Sequence, residues 1–303
     1  MLIPDNNVLL DWVDPVNRLH DLNRGLFAWF MCVPGATGGS KLVDLNRVFP
    51  GTLTAMDVTT CWRGTKMPGA FGELDFDGVD DYVEAGGSIL FDGLTQLTMW
   101  ARLRFRSRGS YESYIGKRTG DTNRFTMGVG GAGVGSSAAF AINCGNGANS
   151  YGYADSTMAN DTDYHLIATF NGAGADNAAR LQAYINGVAV TLTYASTIPA
   201  SLGTNTGNFI LGNETGQTRF FDGQLAEAGV KAQWTSPEGA RLLYEEARSG
   251  YPNLLRRVEL DDGMDAPAAG GGITGPLIGF GHLGGGGPLI GGRLVRDRLR
   301  WWA

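Results

Sequence analysis

Between residues 25 and 250 the chain is written in short alternating runs, and Gly, Asn or Asp closes nearly every one. "LTMWARLRFRS" sets Leu97, Met99, Ala101, Leu103 and Phe105 on one face and Thr98, Trp100, Arg102 and Arg104 on the other. That period of two belongs to a β-strand, whose successive side chains point to opposite sides of a sheet. "YHLIATFNG", "RLQAYINGVAVTLTY", "NFILGNE" and "QLAEAGVKAQW" read as further strands. Asn186-Gly187, between "QAYI" and "VAVTL", predicts a tight hairpin, because a type I′ turn needs positive φ at both central positions. Strands recurring about every dozen residues, with almost no helical periodicity between them, predict an antiparallel sandwich.

One helix interrupts the pattern. In "TSPEGARLLYEEARSG", Ser236 suits the N-cap, Pro237 the first helical position, Glu238 the first turn and Gly250 the stop. Leu242, Leu243 and Ala247 are expected to form its buried stripe.

Glycine sets the domain plan. The 303 residues include 47 glycines, roughly double the usual share. After residue 250 come "APAAGGGITGPLIGFGHLGGGGPLIGGRLVRDRLRWWA" and two copies of "GPLIG", at 275–279 and 287–291. Such glycine density buries too little apolar area to offset chain entropy. The segment reads either as a flexible linker or as an arm on a neighbouring subunit, anchored by Leu277, Ile278, Phe280, Leu289, Ile290, Trp301 and Trp302. The plan is therefore an N-terminal arm over 1–24, a β domain over 25–250 and a glycine-rich arm over 251–303.

The net charge of −6 argues against a general nucleic-acid binder, which carries a basic footprint. Arg293, Arg296, Arg298 and Arg300, near two tryptophans, read as contacts to a protein partner. No apolar run of about 20 residues provides a membrane span. "MLIPDNNVLLDWVDP" has acids where a secretory signal needs positive charge, so export by that route is not expected. Cys32, Cys61 and Cys144 read as buried free thiols.

Chemistry is concentrated in "ELDFDGVDDYVEAG". Glu73, Asp75 and Asp77 are spaced by two and share one face of a strand. Asp77-Gly78 and Asp80-Asp81 are turn chemistry, with carboxylates placed to accept local backbone N–H groups. His165, inside "DYHLIATF", reads as a strand histidine satisfied by hydrogen bonds, and His20 and His282 lie far from it. Trp100, Tyr151 and Tyr153 read first as core or interface aromatics; stacking on sugar rings, if they are exposed, is the alternative.

Several of these segments, taken in order, resemble the laminin-G-like, concanavalin-A-like jelly-roll family. "ELDFDGVDDYVEAG" resembles an early strand of that family and "NRGLFAWF" its opening strand. "YHLIATFNGAG", "RLQAYINGVAV" and "NFILGNETGQTRFFDGQLAEAGVKAQW" resemble its central strand, hairpin and closing strands, and "SPEGARLLYEEA" its closing turn. The resemblance implies an all-β, antiparallel sandwich with one short C-terminal helix, flanked here by extended arms. It also implies binding of sugar or protein, with or without calcium. Similarity to pentraxin-type members places calcium ligands at Asp121, Asn123, Asn213 and Glu214, yet Thr215, Gly216 and Gln217 stand where further acids belong, so calcium would bind weakly. Similarity to the glutamate-x-aspartate-x-glutamate signature of some glycanases makes Glu73 a nucleophile, Asp77 an acid and Asp75 their modulator. A retaining mechanism needs carboxyls about 5–5.5 Å apart, whereas residues four apart on a strand start about 13 Å apart.

The expectation is a non-enzymatic assembly protein without an obligatory cofactor. Its type would be a virion component, such as a capsid decoration or tail-associated protein of a phage, made in the host cytoplasm. Its jelly roll would meet surface glycans and its arms neighbouring subunits. A monomeric, extracellular carbohydrate-binding module is the alternative, and a glycanase using Glu73 and Asp77 the third.

Overall fold

The pleat of the strand Gln96–Phe105 organises the molecule, because Leu97, Met99, Ala101, Leu103 and Phe105 all enter the main core. The computed structural model describes residues 8–10, 20–33, 40–46, 49, 51–65, 67–87, 91–107, 112–120, 122–130, 140–154, 158–214, 216–255 and 257–259. The chain divides into two compact units, residues 1–260 and 261–303. The second lies outside the described residues, as do all seven anchors expected there, Leu277, Ile278, Phe280, Leu289, Ile290, Trp301 and Trp302.

Two antiparallel sheets make the sandwich expected from the alternation. In the first, the order is Val188–Val190, Leu181–Ile185, Asp163–Asn171, Gln96–Phe105 and Asp222–Lys231. The far side of Asp222–Lys231 is shared by Glu73–Asp77 and Leu26–Met31. In the second, the order is Gly51–Thr54, Tyr82–Gly87, Asn208–Leu211, Glu112–Arg118, Asn123–Val129, Phe140–Asn146, Tyr151–Ala154 and Thr193–Tyr194. Lys41–Asp44 pairs with both Leu26–Met31 and Gly51–Thr54, tying the sheets together at one side. Between the sheets, Phe105 meets Tyr114, Tyr164 and Phe221 at ring-centroid distances of 5.3, 5.9 and 6.0 Å. Cys32, Cys61 and Cys144 are buried free thiols.

The turn and cap signals act as read. Asn186 and Gly187 have φ of +51° and +76°, and Ile185 pairs with Val188 across them. The helix spans Pro237–Arg248, the Ser236 hydroxyl accepts from the Gly239 amide at 3.1 Å, and Gly250 follows with φ +74°. Its buried residues are Gly239, Ala240, Leu243 and Ala247, so Leu242, expected in the stripe, is 37% exposed instead. Ala240, Leu243 and Ala247 follow the three- and four-residue spacing of one helix face, and Leu242 falls about 100° away from Leu243, off that face.

That helix also decides between the two readings of Trp100, in favour of the core. It covers the outer face of the first sheet, where Trp29, Trp100, Ile167 and Tyr184 join Ala240, Leu243, Ala247 and Tyr251 in a second core. Trp100 is therefore 2% exposed and closed to sugars. Gly229 makes its seat, since a Cβ there would lie 2.0 Å from the Trp100 ring.

Away from the sandwich, Val8–Leu10 pairs antiparallel with Arg257–Glu259 as a separate two-stranded ribbon. The segments expected as independent arms are thus joined at this point.

Candidate functional site on the second sheet

The acidic strand Glu73–Asp77 keeps its three carboxylates on one face, because Leu74 and Phe76 between them enter the core. Each is already engaged. Glu73 is 4% exposed and accepts from the Thr65 hydroxyl at 2.5 Å. Asp75 accepts from Arg63 at 2.9 Å, from Gln224 at 2.9 Å and from Arg106. Asp77 closes the following turn, accepting from the Val79 amide at 2.8 Å. Asp81 accepts from the Asp77 amide, and burial raises its pKa above the usual carboxylate value. Asp77, Asp80 and Asp81 bring carboxylate oxygens within 4.8 Å of one another, but Asp77 and Asp81 spend theirs on turn amides.

The four residues expected around calcium are placed as follows. Asp121 lies outside the described residues. The Asn123 side-chain oxygen accepts from the Gly147 amide at 3.0 Å. Asn213 bridges its own loop, donating to the Gln217 carbonyl at 3.0 Å and accepting from the Arg219 amide at 3.2 Å. Glu214 is 2% exposed and accepts from Ser113 at 2.7 Å, with Arg118 and Arg219 at 3.5 and 3.3 Å. Two guanidiniums thus supply the positive charge that faces Glu214 here, a setting unlike the oxygen-rich shell a dication requires.

A different constellation forms on the outer face of the second sheet. Phe125, Met127, Phe140, Ile142 and Cys144 point into the core, which turns the alternate positions outward. Register then aligns Thr52, Glu84, Ile210, Gly116, Thr126, Asn143 and Tyr151 in one row across seven strands. A parallel row runs Ser113, Gly128, Ala141 and Tyr153, and a third Arg118, Arg124 and Gly145. Tyr151 and Tyr153 stand side by side, half-buried, with ring centroids 6.4 Å apart and planes inclined at 35°. The Asn143 amide donates to the Thr126 hydroxyl at 3.0 Å, and Arg124 donates to the Asn149 side chain at 2.8 Å.

Glycine lets the strands farther along these rows pack closely. A Cβ on Gly116 would fall 2.4 Å from the Thr126 methyl, and one on Gly128 would fall 2.2 Å from the Glu112 carbonyl oxygen. Thr126 is fully buried and Arg124 is 8% exposed, so Tyr151, Tyr153 and Asn143 are the side chains this end of the sheet offers to a ligand. An apolar ring face paired with a few fixed polar groups is the usual make-up of a small-ligand site. The spacing of Tyr151 and Tyr153 is visible in the sequence. Asn143 joins them only through cross-strand register, which no local signal announces.

The Laminin_G_3 family, described as the concanavalin A-like lectin/glucanases superfamily, matches residues 77–237, more than half of the chain. The chain belongs to this superfamily. Solved structures share the fold at low identity. Domain 4 of AbnA, a GH43 extracellular arabinanase from Geobacillus stearothermophilus in complex with arabinotriose, is 14% identical with a TM-score of 0.52, covering 72% of this chain and 98% of that one. Trypanosoma rangeli sialidase in complex with sialic acid is 12% identical with a TM-score of 0.51, covering 73% of this chain. The chain spans about a third of that sialidase, with 33% of it covered. A structure of botulinum neurotoxin type C, whose cell entry is dependent upon interaction with two ganglioside molecules, is 10% identical with a TM-score of 0.50, covering 75% of this chain and 52% of that one. No curated protein matches the sequence.

Proposed function

We propose that this superfamily member is a non-catalytic glycan-binding module whose site is the half-buried pair Tyr151 and Tyr153 with Asn143 beside them. The observation that carries the reading is their pairing, 6.4 Å apart, with Asn143 in register with Tyr151. The sugars named with its structural neighbours, arabinotriose, sialic acid and gangliosides, support the ligand class. The non-catalytic part rests on the acidic strand, where Glu73, Asp75 and Asp77 each hold a neighbouring structural group.

Titration calorimetry of the full chain with arabinotriose and with sialyllactose tests this. At least one should bind, and Tyr151→Ala and Tyr153→Ala should each weaken it by about 1 to 2 kcal/mol, about five- to thirtyfold in Kd. Glu73→Gln should bind as the unaltered protein does. Unchanged affinity in both tyrosine variants, or a hydrolysis that Glu73→Gln abolishes, would refute the reading.

A second reading concerns assembly, as a virion decoration or tail-associated component. The ribbon of Val8–Leu10 with Arg257–Glu259 favours it, because it gathers both terminal segments at one place. Two three-residue strands are too short to stand alone, and an added partner strand would complete them. Light scattering should find the full chain oligomeric and a version ending at Tyr251, which lacks Arg257–Glu259, monomeric; equal masses would remove this reading.

A further inference from the structure

Beneath the helix Pro237–Arg248 lies a set of ionisable side chains that sugar binding does not use. Arg102 stands in register with His165 on one side and Glu227 on the other, and the three are 4%, 2% and 3% exposed. Arg102 donates to the carbonyls of Ala247, at 2.8 Å, and Pro68, pinning the last turn of the helix to the sheet. The Tyr251 hydroxyl donates to Glu227 Oε1. His165 Nε2 is 3.9 Å from that same oxygen, beyond hydrogen-bond reach, and neither ring nitrogen has a hydrogen-bond partner among the described residues. The sequence predicts a satisfied histidine here; in the fold its ring lies against Tyr244, and the Glu227 carboxylate stops short of it. Its ring stacks on Tyr244 at 6.0 Å, and Arg248 lies over that tyrosine at 5.5 Å.

This arrangement holds only while His165 is neutral. A protonated imidazole would put a second cation beside Arg102 in a dry site, with Arg248 adding to the repulsion from the helix side. Burial, and then Arg102, push its pKa from 6.5 to about 3.

We propose that His165 is an acid-sensitive latch, whose protonation releases the helix Pro237–Arg248 and the turn through Leu255 from the first sheet. The released segment leads into Arg257–Glu259, so the latch would also govern the anchorage of the ribbon with Val8–Leu10.

The sign follows from the two states. Closed, His165 takes a proton only near pH 3; open, it takes one near 6.5. Closure therefore loses about tenfold in its equilibrium constant per pH unit below 6.5. Glu227 works the other way. Burial raises its closed-state pKa above 4.5, against the lowering effects of Arg102 and the Tyr251 hydroxyl. Acid thus protonates Glu227 first in the closed state and favours closure there, a gain lost as pH rises through the raised value. Tyr251, raised further by burial, stays neutral throughout.

Native-state hydrogen exchange on the full chain separates these contributions, read at the helix amides and corrected for intrinsic exchange. In Glu227→Gln, which removes the offset, opening should rise about sixteenfold between pH 6.5 and 5. Adding His165→Phe should make it flat, and His165→Gln in the same background supplies the same test if the Phe variant does not fold. The strand Asp163–Asn171 should stay protected in all of them. A flat response in Glu227→Gln, or a slope that survives replacement of His165, would overturn the latch.

Discussion

Arg102→Ala lowers the stability of the sandwich by about 3 to 5 kcal/mol. Three losses combine. The carbonyls of Ala247 and Pro68 lose their donor, each at about 1 to 3 kcal/mol when no water replaces it. Glu227, 3% exposed and in register with Arg102, loses the cation that holds its pKa down. The helix then rests on apolar contact alone. Urea denaturation reads the change as a shifted midpoint at constant slope. Adding Glu227→Gln should restore at least about 1 kcal/mol, because a neutral amide does not demand the missing charge. A loss below about 1 kcal/mol in the single variant would show that water, not Arg102, satisfies this joint.

Phe105→Ala should cost a similar amount, about 3 to 5 kcal/mol, by a different route. Phe105 is fully buried and lies within 6.0 Å of the rings of Tyr114, Tyr164 and Phe221. Tyr114 and Phe221 also meet each other at 5.5 Å. A cluster so interlocked between two sheets collapses poorly around a missing ring, so most of the cavity remains. Thermal unfolding should show the loss as a fall in Tm, with sugar affinity nearly unchanged, since the second sheet's outer face is not touched. A variant that kept its Tm would mean that the sheets close onto the gap.

The two variants probe opposite faces of one strand, and that strand marks the boundary of what sequence reveals. Its alternation from Leu97 to Phe105 is a local pattern, so its strand character and its core-facing residues are legible in the residues themselves. The same holds for the Asn186-Gly187 turn and for the Ser236 cap, each decided by residues a few positions apart. Which medium the opposite face meets is another matter. Thr98, Trp100 and Arg102 carry the residue mix of a half-exposed surface, yet a helix from much later in the chain covers them.

The candidate sites divide in the same way. Tyr151 and Tyr153 are paired by spacing alone, but Asn143 reaches them through hydrogen-bond register between strands. Glu214, read as a calcium ligand, is met by Ser113 and Arg118 from about a hundred positions earlier and by Arg219 from its own loop. His165, read as hydrogen-bonded, has its ring against Tyr244 of the later helix and no hydrogen-bond partner among the described residues. The sequence by itself determined the two-sheet architecture, its turns and the ends of its helix, because short-range sterics and periodicity set them. The tertiary structure alone decided which polar side chains stand together and which are shut from water. Those properties depend on packing between segments that the chain order does not relate.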